Sequence, residues 1–231
     1  MIFNGIEKEY IGVTKELFRP PTPPVEFLTT TKLKGGDRVR RKNFTSAELT
    51  VPITIKGGKR IEERKEDLSN WLVHDEPKKL IFKDSPHRYF LALYKDMELE
   101  ENYKFARGHI QFYLPIAYRF GEDQQIDVGS TYTSYHITGQ VEMPWKSRSV
   151  FTSSSSNFTF ENNQGGKIHL NFSFVENDVL EIDYAKREVK LNGENLAVAL
   201  SLQSNWFLLK PHVNTFRASQ PTTVMYTERF Y

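Results

Sequence analysis

"DVLEIDYAKREVKLNGENL", residues 178–196, decides how the rest of the chain is read. Leu180, Ile182 and Tyr184 alternate with Glu181 and Asp183, and Val189 and Leu191 alternate with Glu188 and Lys190. Such alternation puts successive side chains on opposite faces, so each run is a strand with one face buried and one wet. Ala185 to Arg187 supplies a short polar turn between them, and Asn192-Gly193, the strongest short hairpin signal, turns the chain again. No Ser, Cys or His in the stretch offers a nucleophile or a base. It is antiparallel architecture without chemistry.

Outward from this hairpin the same pattern recurs. Short strands are expected around His136 to Val141, at Asn157 to Glu161, at Lys167 to Phe174 and in the closing "TTVMYTERFY", with Ser153 to Ser156 as a loop. Strands at this spacing without a helix predict a sandwich or jelly roll. Towards the N-terminus, "GEDQQIDVGSTYTS" (Gly121 to Ser134) is polar and rich in breakers, the best domain boundary in the chain. Before it lie strands expected at Leu80 to Phe82, Arg88 to Leu93 and Gly108 to Leu114, with a turn at Asp84-Ser85-Pro86. "NFTSAELTVPITIKGG" (Asn43 to Gly58) carries Leu49, Val51, Ile53 and Ile55 on one face and ends at a Gly-Gly turn. Pro52 on the other face points to an edge strand or a bulge.

One helix is expected, in "KRIEERKEDLSNWLVHDEP", where Ile61, Leu68, Trp71 and Leu72 share a face and Asp75-Glu76-Pro77 stops the run. The fold class read from these elements is mainly β. Residues 1–128 form a β-rich domain with one amphipathic helix, and residues 129–231 form an all-β sandwich.

Composition narrows the function. With 39% hydrophobic residues and 13% aromatics, the chain has the material for a packed core. Its 31 basic and 29 acidic residues leave a net charge of +2, which gives no electrostatic case for nucleic acid or an anionic membrane as main partner. The absence of cysteine excludes disulfides, thiol catalysis and Cys-ligated metals. "MIFNGIEKEY" lacks a basic segment followed by an apolar core, so no secretory signal is expected, and synthesis in the cytosol is.

Catalytic patterns are missing. The histidines at 74, 87, 109, 136, 169 and 212 include no pair at helical metal-ligand spacing, and there is no P-loop, nucleophile elbow or dinucleotide fingerprint. Carboxylate pairs such as Glu181/Asp183 and Glu176/Asp178 read as the wet faces of strands. No catalytic, cofactor-binding or metal-binding residue is assigned, and the chain is read as a non-enzyme. Two features qualify as contact sites. Lys32, Lys34, Arg38, Arg40, Arg41 and Lys42 crowd a hairpin around Gly35-Gly36, entered through the polyproline-like "RPPTPPVEF". This segment is a candidate protein-contact arm. Trp145, set among polar residues in "EMPWKSRS", is a candidate platform for weak carbohydrate contact, whereas Trp206 beside Phe207, Leu208 and Leu209 reads as core or interface.

The order of these elements resembles the distal tail protein (Dit) family of siphophages of Gram-positive hosts and their prophages. The resemblance rests on "SYHITGQVE" (134–142), Ile182-Asp183 and Asn192-Gly193 in the opening stretch, and "SNWFLLKPHVNTFRAS" (204–219). "LKPHVNT" keeps the family's Leu, Pro and Asn but has His212 where glycine is usual. Trp71-Leu72 followed by "KKLIFKDSPHRYFLALY" (78–94) extends the resemblance over nearly the whole chain. It implies a bacteriophage structural protein of the virion tail tip, with an N-terminal domain that closes into a hexameric ring and a galectin-like C-terminal sandwich. The implied partners are other copies of the chain, the major tail tube protein, the tail-tip hub or tail-associated lysin, and in many phages a receptor-binding protein. A second reading is a carbohydrate-binding module contacting the host cell wall, and a third is a wall hydrolase, which requires converging acids or a metal.

Overall fold

The computed structural model describes residues 1–56, 61–101 and 105–231, so the Gly57-Gly58 turn lies outside the described residues. The chain divides into two compact units, Met1–Phe120 with Tyr231, and Gly121–Phe230. Both are built mainly of antiparallel strands, as the alternation requires.

The first unit contains β1 (Ile2–Phe3), β2 (Ile6–Glu7), β3 (Ile11–Val13), β4 (Val25–Thr31), β5 (Asp37–Phe44) and β6 (Ala47–Lys56). These are followed by α1 (Ile61–Leu72), β7 (Lys78–Phe82), β8 (Ser85–Glu101) and β9 (Phe105–Val128), of which the part up to Phe120 belongs to this unit. Strand β6 buries Leu49, Val51, Ile53 and Ile55, as its alternation predicts, together with Leu68, Trp71 and Leu72 of α1. The Trp71 indole donates to the Phe3 carbonyl (3.1 Å) and meets the Phe3 ring edge-on, so the helix is pinned to β1. Each fully buried large apolar side chain contributes about 1.5–3 kcal/mol, and this layer holds the unit together.

Pro52 departs from the edge-strand expectation. Strand β6 pairs with β9 along its length and with β3 through Ile53–Ile55. The Pro52 carbonyl accepts from Thr14 just past the end of β3, so the missing proline N–H falls on the side where pairing has already stopped. Strand β8 begins at Ser85, inside the predicted turn, and runs on through the charged residues to Glu101. Gly108 makes its pairing with β9 feasible: a Cβ there would lie 1.8 Å from the Glu98 carbonyl oxygen.

The second unit takes Gly121–Val128 of β9, then β10 (Thr133–Ile137), β11 (Trp145–Val150), β12 (Ser155–Asn162), β13 (Lys167–Phe174) and β14 (Val179–Asp183). It continues with β15 (Glu188–Leu191), β16 (Glu194–Asn195), β17 (His212–Ala218) and β18 (Thr222–Phe230). One sheet has the order β16-β15-β14-β11-β18-β9 and the other β10-β17-β12-β13. Phe158, Phe160, Phe174, Phe216, Leu180, Ile182 and Val224 fill the space between them. The opening stretch forms as read. Asn192 (φ 50°) and Gly193 (φ 88°) make the two-residue turn from Leu191 to Glu194, both in the left-handed region that such a turn needs.

Four details differ from the sequence reading. Gly121–Val128 is strand rather than linker, because its polar side chains bond across to β18: Thr227 to Asp123 (2.5 Å) and Thr223 to Asp127 (2.7 Å). Strand β10 ends at Ile137, ahead of Gly139, and Ser155 already starts β12. Strand β11 went unread because two of its buried positions are Ser147 and Ser149, which disguise the alternation. His212 holds φ 77°, so the turn keeps the backbone that glycine favours despite its side chain. The buried Asn214 amide closes that turn by donating to the carbonyls of Lys210 (2.7 Å) and His212 (3.1 Å).

Candidate assembly surfaces

The basic segment is an arm. Strands β4 and β5 pair only with each other, and every residue from Val25 to Lys42 is exposed. At the tip, Gly35 (φ 89°) and Gly36 (φ 75°) turn the chain while Lys32 donates to the Gly36 carbonyl. At the base, Thr45 donates to the Pro24 carbonyl, and Phe44 packs against Tyr118 and Tyr231.

The six basic residues do not form one patch. The register pairs Leu28 with Arg41, Thr29 with Val39 and Thr30 with Arg38, leaving Arg40 as the extra residue of a bulge. Arg38 and Arg41 therefore share one face with Glu26 and Leu28. Lys42 lies on the other face, its ammonium 4.8 Å above the Phe44 ring, and Lys32 and Lys34 sit at the tip. Among the described residues, no ion pair engages Lys32, Lys34, Arg38, Arg40 or Arg41.

The face shared with Lys42 carries Val25, Phe27 and Val39, with Phe27 55% and Val39 56% exposed. Reading the segment as merely basic missed this apolar stripe. The signal was there: Val25-x-Phe27 alternates in the strand that precedes the charges.

Trp145 corrects the carbohydrate expectation. Its side chain is 1% exposed, stacked on Tyr184 and donating from Nε1 to the Phe207 carbonyl (3.0 Å). Lys146 and Arg148 beside it point outward from β11, while the indole points into the sandwich with Ser147 and Ser149. No sugar ring can reach it.

Several titratable groups of both units are tied into the fold. Asp183 accepts from the backbone of Ala185 and Lys186 (3.0 Å each) and caps the turn after β14. Asp178 accepts from Val175 (2.8 Å) and Asn192 (2.9 Å). His169 is bonded at both ring nitrogens, to Thr159 (2.8 Å) and Asn171 (3.0 Å). Glu161 accepts from the Tyr132 hydroxyl (2.6 Å) and pairs with Arg217; the hydroxyl first, then the guanidinium, hold its carboxyl below the ordinary glutamate range. In the first unit, the Lys8 ammonium and then the Tyr10 hydroxyl do the same for Asp67. Among the described residues no group of three or more His, Asp or Glu side chains is arranged to hold a metal ion.

A mainly β scaffold that holds out an exposed two-stranded arm suits a structural, assembling protein. The comparisons specify it. Residues 6–114 match the family model of the phage tail protein RIFT-related domain, and residues 138–230 that of the siphovirus-type tail component, C-terminal domain. The distal tail protein of Bacillus phage SPP1 is 29% identical over 204 residues, covering 84% of this chain and 81% of that protein. The crystal structure of SPP1 Dit, described there as a paradigm of the hub adsorption apparatus in phages infecting Gram-positive bacteria, superposes with a TM-score of 0.90 at 22% identity. It covers 100% of this chain and 98% of the other. A chain of the phage P2 baseplate, in its activated conformation with Ca, shares the fold at a TM-score of 0.50 and 8% identity over 95% and 90% of the two chains. The chain belongs to the distal tail protein family and is a structural component of the phage tail.

Proposed function

We propose that the chain is a ring-forming hub at the distal end of a siphophage tail tube, with six copies in the ring. Residues 1–128 supply the ring and residues 129–231 a galectin-like sandwich appended to it. The ring joins the major tail tube protein to the tail-tip hub or tail-associated lysin and, where the phage has one, to a receptor-binding protein. The chain is made in the host cytoplasm and acts as a scaffold without catalysis. It engages neither membrane nor specific nucleic acid.

The observation that carries this reading is the β4–β5 arm. An isolated two-stranded ribbon is marginal in water, and this one leaves Phe27, Leu28 and Val39 exposed. An unpaired strand edge of this kind is an association surface, and in a repeating ring the neighbouring subunit covers it. The carbohydrate-binding alternative loses its one platform with the burial of Trp145. Immunogold electron microscopy of tails with antibodies to the chain tests the placement. Label is expected at the distal end of the tail; label along the tube or at the head contradicts it.

A further inference from the structure

We propose that the basic arm of one copy seats in an acidic groove on the first unit of the next copy, with Glu98 and Glu100 as counter-charges for Arg38, Arg40 and Arg41. The inference rests on the ring reading and names the surface that closes it. The groove has a volume of about 850 Å³, between the segment around Phe18 and the face of β6, β9 and β8 opposite the core. On the core face, β6 is covered by α1 through Leu49, Val51, Ile53 and Ile55; on the groove face, Glu48, Thr50 and Pro52 line open space. Gly108 lets β8 close onto β9 there, which fixes the line of Glu98 and Glu100 along the groove floor.

Charge favours the arm as occupant. Glu16, Glu48, Glu98 and Glu100 line the groove against Arg107 and His109. Glu48 is already paired with Lys95; among the described residues, Glu98 has only the His109 ring at 3.6 Å, and no ion pair engages Glu16 or Glu100. Phe18, 73% exposed at the groove, offers an apolar counterpart to Phe27 and Val39. The arm of one copy in the groove of another is a head-to-tail contact, which repeats from copy to copy until it closes.

The chain has no cysteine, so introduced thiols report a single contact. Full-length Arg40→Cys and Glu98→Cys chains, mixed under mild oxidation, are expected to form a disulfide-linked heterodimer within the assembly. Neither variant alone should do so. Charge reversal gives a second measure. Arg38→Glu/Arg40→Glu/Arg41→Glu and Glu98→Lys/Glu100→Lys should each lose at least tenfold in assembly, and an equimolar mixture should recover it by alternating around the ring. Normal assembly without the cross-link, and without recovery in the mixture, overturns the arm-in-groove contact and leaves the ring reading standing. Absence of assembly by the unmodified chain overturns both.

Discussion

The Trp145 indole lies flat on the Tyr184 ring, with centroids 3.4 Å apart and planes 16° apart, in the middle of the second unit. Phe160 and Phe207 close on the same indole at 5.0 and 5.1 Å. A side chain in this position sets stability. Trp145→Ala is expected to cost about 3–5 kcal/mol, the range for removing a buried aromatic. Urea unfolding followed by second-unit fluorescence or circular dichroism measures it. A loss under 1 kcal/mol, with saccharide binding abolished, would return Trp145 to the surface role its neighbours in sequence advertise.

His212 offers the opposite change. At φ 77° its Cβ crowds the backbone, a strain of about 1–2 kcal/mol that glycine escapes, less the entropy glycine adds to the unfolded chain. His212→Gly is expected to stabilise the second unit by up to about 1 kcal/mol, read as a rise in its melting temperature. A fall would mean that the imidazole makes a compensating contact. Asn214→Ala should destabilise by about 1–3 kcal/mol, because the buried amide satisfies two turn carbonyls.

Acid should weaken the second unit through Glu161. The Tyr132 hydroxyl and Arg217 lower its pKa in the folded state, so the folded chain binds a proton there less readily than the unfolded chain. The resulting stability is fully present above the ordinary glutamate range and is lost as pH falls through the depressed value. Chemical denaturation of Glu161→Gln across that window should show a shallower acid loss than the unmodified chain. Parallel curves would assign the acid sensitivity elsewhere.

The legible parts of the fold were those in which apolar residues alone mark the buried face. Leu180, Ile182, Val189 and Leu191 announce their strands, and Leu49 to Ile55 theirs. Strand β11 was hidden because Ser147 and Ser149 occupy inward positions, and the same polar context made the buried Trp145 look exposed. The end of β8 was hidden because its pairing with β9 could not be inferred locally, so the strand was expected only from Arg88 to Leu93. Charge dominated the reading of the arm, although the bulge at Arg40 separates the charges and Phe27 with Val39 fills one face. The groove was invisible for a simpler reason: Glu16, Glu48 and Glu98 are far apart in sequence and line one groove only once the chain is folded.

Replacing Arg38, Arg40 and Arg41 together by Glu should leave the monomer folded, since none of the three is buried. Assembly should weaken, most visibly at low salt, where attraction between arm and partner is least screened. Each exposed pair contributes only about 0.2–1 kcal/mol, so single substitutions should fall near the noise. Sedimentation and circular dichroism across ionic strength separate assembly from folding. An unchanged assembly state at every salt concentration, with tube and hub binding intact, would make the arm's charge a matter of solubility.

The mass of the native assembly tests the central claim most directly. Native mass spectrometry of the full chain, alone and with the tail tube and hub proteins, should find a species of six copies, or two such rings back to back. A monomer under all of these conditions would contradict the account of the chain as a ring-forming hub.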